Sequence, residues 1–181
     1  MRNIPKETIL KAAAGDIEAF ERIYRTFSAY VYTLAFRVTG NKEDAEEVTQ
    51  DVFVSVHRNL WKFRFRSSLK TWIYRVSVNK AINAYRKRVR RLSRSAELDE
   101  NRAGAEDRTI ERNEAREEVG KMLEGLSPDQ RACIVMKEIQ GMKYEEIAAA
   151  LSVNINTVKT RISRGREKLV ALYRERSRDE V

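Results

Sequence analysis

Residues 126–169 read LSPDQRACIVMKEIQGMKYEEIAAALSVNINTVKTRISRGREKL, and this stretch decides the fold class. The spacing of Ser127 and Gln130 is typical of a capping box, so a helix is predicted to begin here and to end at Gly141. A short helix over 143–151 and a tight turn then precede a last helix that is rich in Lys and Arg. Two helices joined by a short turn, the second one basic, predict a helix-turn-helix unit that binds duplex DNA.

The last helix has a polar outer face. Val158 and Ile162 are predicted to pack inward, which leaves the polar residues between them on the outside. These outward residues are Asn156, Lys159, Thr160, Ser163, Arg164 and Arg166. Such side chains can reach base edges and phosphates in a major groove. A basic surface helix on a bundle is the alternative, and Ser152 departs from the glycine that such turns often carry.

The first half of the chain also has helical periodicity. Asp16 and Asn41 are predicted to precede two helices, and a third helix is predicted from about Leu69 to Arg90. The apolar face of the first of these is predicted to comprise Ile17, Phe20, Ile23, Tyr24, Phe27, Val31, Leu34 and Val38. The apolar positions of the third are predicted to include Leu69, Trp72, Ile73, Val76 and Val89.

The periodicity therefore predicts an all-α fold of two small helical domains. No convincing strand occurs, and glycine (7) and proline (2) are scarce. The domains are predicted at 5–90 and 113–176, and a charged, acidic segment over 91–112 is predicted to be a flexible linker between them.

Composition excludes several classes of protein. One Cys and one His among 181 residues cannot form a disulfide framework or a His/Cys zinc cage, so no metal or cofactor is expected. No apolar run approaches the ~20 residues of a membrane span, and the chain is expected to be soluble and cytoplasmic, without direct membrane insertion. A net charge of +9 indicates a polyanionic partner, with nucleic acid favoured over an anionic membrane.

The positive charge is concentrated in two blocks. Residues 52–96 carry 13 basic and no acidic side chains, and residues 156–181 have a net charge of +4, whereas residues 97–118 have a net charge of −5. The first block interleaves its basic residues with Trp61, Phe63, Phe65, Trp72, Tyr74 and Tyr85. Aromatic faces and cations together favour single-stranded nucleic acid, although any one aromatic taken alone is better explained as a core residue.

Three stretches resemble the bacterial RNA polymerase sigma factors of the sigma-70 family, in the family's order. They are 44–60 (DAEEVTQDVFVSVHRNL), 67–91 (SSLKTWIYRVSVNKAINAYRKRVRR) and the opening stretch, 126–169. The most similar type is the small extracytoplasmic-function (ECF) group, which keeps only the second and fourth sigma domains. The resemblance implies promoter-specific initiation with core RNA polymerase, usually under the control of an anti-sigma factor.

The resemblance also implies roles for individual residues. Binding to the polymerase clamp matches Asp44, Glu47, Gln50 and Asp51. Capture of the melted −10 element matches Arg64, Phe65, Arg66, Ser67, Trp72, Asn79, Asn83 and Arg86. Reading of the −35 duplex, by a domain that lies on the polymerase flap, matches Lys137, Asn156, Lys159, Thr160, Ser163, Arg164 and Arg166. Phe65-Arg66, His57 and Asn156 depart from the residue types common in the family.

Other functions are less well supported by the sequence. A conventional helix-turn-helix regulator would explain the C-terminal half but not the carboxylate-free aromatic block. An enzyme would need clustered catalytic groups or a phosphate-binding glycine loop, and neither occurs, so no catalytic residue or small-molecule substrate is expected. A basic adaptor resembling an anti-sigma protein is disfavoured by the DNA-reading helix.

Overall fold

The computed structural model describes residues 4–98 and 114–179, and every regular element among them is helical. The all-α prediction is confirmed. In chain order the elements are α1 (Lys6–Ala13), α2 (Ile17–Thr39), α3 (Lys42–Asn59), a 3-10 turn (Leu60–Lys62), α4 (Leu69–Leu98), α5 (Glu114–Glu124), α6 (Pro128–Ile134), a π-helical segment (Val135–Ile139), α7 (Tyr144–Leu151) and α8 (Ile155–Asp179).

The predicted helix starts are confirmed by their hydrogen bonds. Asp16 Oδ1 accepts from the Ala19 amide at 2.9 Å, and Asn41 Oδ1 accepts from the Asp44 amide at 2.8 Å. These bonds satisfy amides that have no partner within the helix. The capping box at Ser127 is also formed. The helix boundaries are thus set by local side chains that can be read in the sequence.

The N-terminal half, α1–α4, is built around α2, which packs against both α3 and α4. Its core is fully buried and includes Ile23, Val31, Leu34, Val38, Val52, Val56, Ile73 and Val78. Three expected core positions of this half are wrong. Tyr24 is 44% exposed because it lies about 60° round α2 from the buried Phe27. Ile17 is 81% exposed because it lies about 80° round α2 from Phe27. Val89 is 42% exposed because it lies about 160° round α4 from Ile73.

α4 is longer than predicted. The sequence places its end near Arg90, whereas the helix continues to Leu98. Residues 91–98 of the segment predicted as a linker are therefore helical, and residues 99–112 of that segment lie outside the described residues. Residues 91–94 of this continuation carry exposed Arg and Leu side chains, which explains why apolar periodicity did not reveal it.

The C-terminal half, α5–α8, contains the predicted helix-turn-helix as α7 and α8. Val158 and Ile162 are buried as predicted, in a core with Met136, Met142 and Ile147. The predicted inward position of Ile139 is wrong, since this residue is 43% exposed at the end of the π-helical segment.

The two halves pack directly against each other. α4 lies against α7 and α6, and α2 lies against α6, α5 and the π-helical segment. Within the described residues no helix is long and apolar enough to cross a membrane, and no group of His, Cys, Asp and Glu could hold a metal ion.

The turn of the helix-turn-helix contains a strained residue. Ser152 follows α7 with φ 55° and ψ 42°, a left-handed conformation that a side chain disfavours by about 1–2 kcal/mol. Ser152→Gly should raise the free energy of unfolding by about 0.5–1 kcal/mol, because the relief of strain exceeds the added entropy of the unfolded chain. Urea denaturation measures the change.

The control for this prediction is Ser93→Gly on the exposed part of α4, where glycine should lower stability by about 0.5–1 kcal/mol. An unchanged or lower stability of Ser152→Gly would contradict the strain at the turn.

Candidate nucleic-acid interface

The first candidate surface is the outer face of α8. Asn154 Oδ1 accepts from the Asn156 amide at 2.8 Å, which caps the helix and fixes its first turn. All six side chains predicted to face outward are exposed: Asn156, Lys159, Thr160, Ser163, Arg164 and Arg166. The structure thus gathers them on one accessible surface. Lys137, the seventh predicted −35 residue, is half-buried, with its ammonium 4.7 Å from the Tyr144 ring centroid.

Partners within the chain divide these side chains into two groups. Ser163 donates to Glu167 at 2.8 Å, and Arg166 forms an ion pair with Glu138 at 2.5 Å. Among the described residues, no carboxylate forms an ion pair with Lys159 or Arg164. Among the outward-facing residues predicted on α8, these two cations are therefore available to an anionic ligand without giving up a carboxylate partner. Glu138 was not anticipated from the sequence, because it lies 28 residues from its partner.

A glycine sets the position of α8. A Cβ atom at Gly165 would lie 3.0 Å from Ile134 Cγ1, which is tighter than ordinary van der Waals contact. The absence of a side chain lets α8 lie close against α6, so that Arg164 and Arg166 on either side of this contact are held on a rigid support.

The second candidate surface is a stripe along α4. Trp72, Asn79, Asn83 and Arg86 fall within about 60° of one another round the helix. Asn79, Asn83 and Arg86 are exposed, and their amide and guanidinium groups can hydrogen-bond to bases or phosphates. Trp72 is half-buried, with its ring centroid 5.4 Å from that of Phe63.

The loop before α4 completes this surface. Arg64, Phe65 and Arg66 are exposed and Ser67 is half-buried. Phe65 has φ 56°, a conformation that is a true outlier for a bulky residue. Its ring lies 4.9 Å from that of Phe63, and the Lys6 ammonium lies 5.2 Å from its centroid.

The strained aromatic is therefore held by contacts that leave it 40% exposed at the surface. Such strain is often found at binding sites. Tyr74, by contrast, is fully buried, so for this aromatic the core alternative is confirmed.

The third candidate surface is the acidic face of α3. Glu47 and Gln50 are exposed, but Asp44 and Asp51 face basic residues of α4. Asp51 forms an ion pair with Lys80 at 3.1 Å, and Asp44 lies 3.9 Å from Arg88. These residues line a groove between α3 and α4 that also includes Asn83, which brings the polymerase-binding and −10 candidates together.

Asp44 differs electrostatically from the other acids of this face. Burial raises the pKa of its carboxyl group, and this effect exceeds the opposing attraction of Arg88 and Arg91. Its Oδ2 atom is buried without a hydrogen-bond partner among the described residues. Asp44 is thus less accessible to a partner than Glu47, Gln50 or Asp51.

Two family models match the two halves of the chain, in the order that the sequence analysis predicts. The model "Sigma-70 region 2" matches residues 23–91, and "Sigma-70, region 4" matches residues 116–169. The ECF RNA polymerase sigma-E factor of Escherichia coli K12 is 32% identical over 166 residues, which cover 86% of each chain. The chain belongs to the sigma-70 family, in its ECF group. It is a sigma factor, a transcription initiation factor of bacterial RNA polymerase.

Two further similarities concern a longer relative and a solved structure. ECF sigma factor SigE of Mycolicibacterium smegmatis is 33% identical over 172 residues, which cover 91% of this chain and 66% of SigE. The structure of the sigma factor RpoE of Bartonella quintana, in complex with the anti-sigma factor NepR, has a TM-score of 0.71 at 25% identity. That alignment covers 87% of this sigma factor and 98% of RpoE.

Two arginines at the contact between the halves were not anticipated from the sequence. Arg131 lies just after the capping box of α6, and Arg75 lies on α4 between apolar positions. Each bonds to a backbone carbonyl more than 70 residues away, and no local pattern indicates such a contact.

Proposed function

We propose that this sigma factor binds core RNA polymerase and directs it to promoters that carry −10 and −35 elements. The observation that carries the proposal is the order of regions 2 and 4 in one chain, each with an exposed polar and cationic stripe. Such stripes suit two separate DNA contacts. The functional units follow the predicted bounds, with a −10 and clamp domain at 5–90, a linker at 91–112 and a −35 domain at 113–176.

The −35 duplex is proposed to be read by α8 in the major groove. Lys159 and Arg164 supply two cations that form no ion pair with a carboxylate of the described residues. Asn156 and Thr160 supply neutral hydrogen-bonding groups. Ser163 and Arg166 would exchange Glu167 and Glu138 for DNA, while Lys137 contributes from the edge of the surface. The same domain is proposed to lie on the polymerase flap.

The melted −10 element is proposed to bind the loop and stripe of the N-terminal half. Unstacking DNA costs a few kcal/mol per step, so bases that leave the stack need pockets or aromatic faces. Phe65 and Trp72 offer such faces, and Asn79 and Asn83 offer amides that can both donate and accept. Arg64, Arg66, Ser67 and Arg86 would contact the phosphate backbone.

The polymerase clamp is proposed to bind α3 through Asp44, Glu47, Gln50 and Asp51. Glu47 and Gln50 form the accessible part of this face, and Asp51 can exchange Lys80 for a basic partner group because the pair is exposed. Exposed pairs of this kind contribute about 0–1 kcal/mol to stability, so breaking this one costs little.

Asp51→Ala should weaken binding to core polymerase about tenfold while leaving binding of −35 duplex by the full chain unchanged. The reason is loss of a carboxylate from the clamp-binding face. Fluorescence anisotropy with labelled sigma factor measures the first quantity and labelled duplex the second.

Lys80→Ala is the matched control, because it breaks the same ion pair from the other side. If Lys80→Ala weakens core binding as much as Asp51→Ala, the effect comes from the lost pair and not from the clamp, which would contradict the assignment.

An anti-sigma factor is the third proposed partner. The RpoE structure was determined with the anti-sigma factor NepR, and the likeness extends over both halves of the chain. A regulator of this kind would cover the polymerase-binding faces. The sigma factor is proposed to act in the bacterial cytoplasm, on nucleoid DNA when active, and to be held at the membrane when its anti-sigma factor is anchored there.

Run-off transcription on a promoter library tests the proposal. Core polymerase with this sigma factor should give transcripts from a subset of templates that share two short elements. Transcription no higher than that of core polymerase alone on every template would overturn the proposed function.

A further inference from the structure

Trp61 lies in the 3-10 turn between α3 and the loop before α4, and it is 64% exposed. Of the large hydrophobic residues within 4–98 and 114–179, only Ile17 is more exposed. A tryptophan ring has a large apolar surface and is mostly buried in folded proteins, so the exposure of Trp61 excludes a core role for this aromatic. Trp61 is also not among the side chains proposed to bind the melted −10 element.

The indole ring is held in place by the chain itself. Its Nε1 atom donates to the carbonyl of Arg58 at 3.0 Å. The turn is closed by a hydrogen bond from the Phe63 amide to the Leu60 carbonyl at 3.0 Å, and Leu60 is buried. Because the one polar atom of the ring already has a partner, the part left for a ligand is the apolar face. A ring fixed in this way loses little conformational freedom when a ligand stacks on it.

The charges around the ring favour an anion. The Lys62 ammonium lies 5.0 Å from the Trp61 ring centroid, and Arg58 lies in the turn of α3 whose carbonyl holds the indole. Both cations are exposed, and neither forms an ion pair with a carboxylate of the described residues. No acidic side chain occurs between residues 52 and 96. A flat apolar ring beside such cations suits a ligand that carries both a ring and a negative charge, as an unpaired nucleotide does.

Phe65 has a similar arrangement four residues later. Its ring is 40% exposed, with the Lys6 ammonium 5.2 Å from its centroid. The Cα atoms of Trp61 and Phe65 are at most about 14 Å apart, because an extended chain spans about 3.3–3.6 Å per residue. Stacked nucleotides of one strand are about 3.4 Å apart, so this distance corresponds to about four nucleotides at most. One unpaired strand can therefore reach both rings.

We propose that Trp61 and Lys62 form a second site for an unpaired nucleotide, in which a base stacks on the indole ring and the ammonium contacts a phosphate. The proposal rests on the proposed function, because melted promoter DNA supplies the unpaired bases next to the loop before α4. It extends the contact with the melted strand beyond the residues proposed for the −10 element. Stacking tolerates every base, so this site adds affinity for the open strand and little sequence preference.

A protein surface is the other class of partner that binds exposed tryptophans, since tryptophan is enriched at the centres of protein interfaces. The carboxylate-free run over residues 52–96 favours a polyanion instead. A protein contact of Trp61 with the polymerase would be made without DNA, so binding to core polymerase alone separates the two classes.

Binding of the holoenzyme to pre-melted promoter DNA tests the proposal. Templates carry an abasic nucleotide at one position of the unpaired strand at a time, which removes a base and keeps its phosphate, and fluorescence anisotropy measures the affinity. The wild-type protein should lose about tenfold at the nucleotides that the loop and α4 hold, and at one further position within about four nucleotides of these. Trp61→Leu should bind the intact template about tenfold more weakly and lose nothing more when that further position is abasic.

Two further variants keep the test decisive. Trp61→Phe keeps an aromatic face and should retain the abasic profile of the wild type. Ile17→Ala removes a still more exposed apolar side chain and should match the wild type at every position. A wild-type abasic profile for Trp61→Leu would overturn the proposal, and so would weaker binding of Trp61→Leu to core polymerase without DNA. Neither result would bear on run-off transcription by the wild-type protein, which tests the proposed function separately.

Discussion

A double variant with Lys159→Ala and Arg164→Ala should lose about 100-fold in transcription from a promoter that depends on its −35 element. On the predicted reading face of α8, neither cation forms an ion pair with a carboxylate of the described residues, so their full charge is available to DNA. Loss of a specific contact costs about 1–3 kcal/mol, and two contacts on one helix face make a 100-fold loss the expected scale. Run-off transcription at subsaturating sigma factor measures it.

The same variant should bind core polymerase as the wild-type protein does, because α3 is untouched. Lys168→Ala with Arg174→Ala is the matched control: it removes two exposed cations from later turns of the same helix and should change transcription less than threefold. Binding to −35 duplex should also show a shallower salt dependence in the first variant than in the control. Equal losses in the two variants would indicate a non-specific charge effect and contradict the reading role of α8.

Arg131→Ala should lower the free energy of unfolding by about 3 kcal/mol. The substitution leaves the carbonyls of Val38, Glu124 and Leu126 without their donor inside the protein. Each orphaned buried group costs about 1–3 kcal/mol, while removal of a charge that burial already disfavours returns part of that loss. Burial, which disfavours the charged guanidinium, is also the main cause of the lowered pKa of Arg131. Thermal denaturation should show Tm lower by roughly 6–12 °C.

Arg131→Lys should recover part of the loss, since an ammonium can donate to one or two of the three carbonyls. Arg22→Ala, an exposed change of the same kind, should stay within about 0.5 kcal/mol of the wild type. If Arg131→Ala were as stable as Arg22→Ala, the buried guanidinium would not be holding the chain together as described.

Much of the fold was predictable because it is encoded locally. The caps at Asp16, Asn41 and Ser127 each satisfy an amide three residues away, so a short stretch of sequence is enough to place them. The exposed face of α8 follows from the burial of Val158 and Ile162 at helical spacing. The candidate residues were also found from short contiguous stretches, by their resemblance to the family. The roles of the individual residues remain predictions.

The features that sequence reasoning missed depend on contacts between distant residues. Arg75 and Arg131 look like ordinary surface arginines in the sequence, because their acceptors lie 74 and 93 residues away. Ile17 was predicted to be buried because the apolar face was assumed to be wider than the face of α2 that contacts the core. The length of α4 was underestimated because residues 91–94, where the helix continues past its predicted end, are exposed and show no apolar periodicity.

The central claim is that this sigma factor gives core polymerase its specificity through two elements. Once a promoter has been selected from the library, run-off transcription on four templates tests it most directly: the intact promoter, a scrambled −10 element, a scrambled −35 element, and both scrambled. The account predicts a strong transcript only from the intact promoter, with each single change reducing it at least tenfold. Equal transcription from all four templates, or none above core polymerase alone, would contradict it.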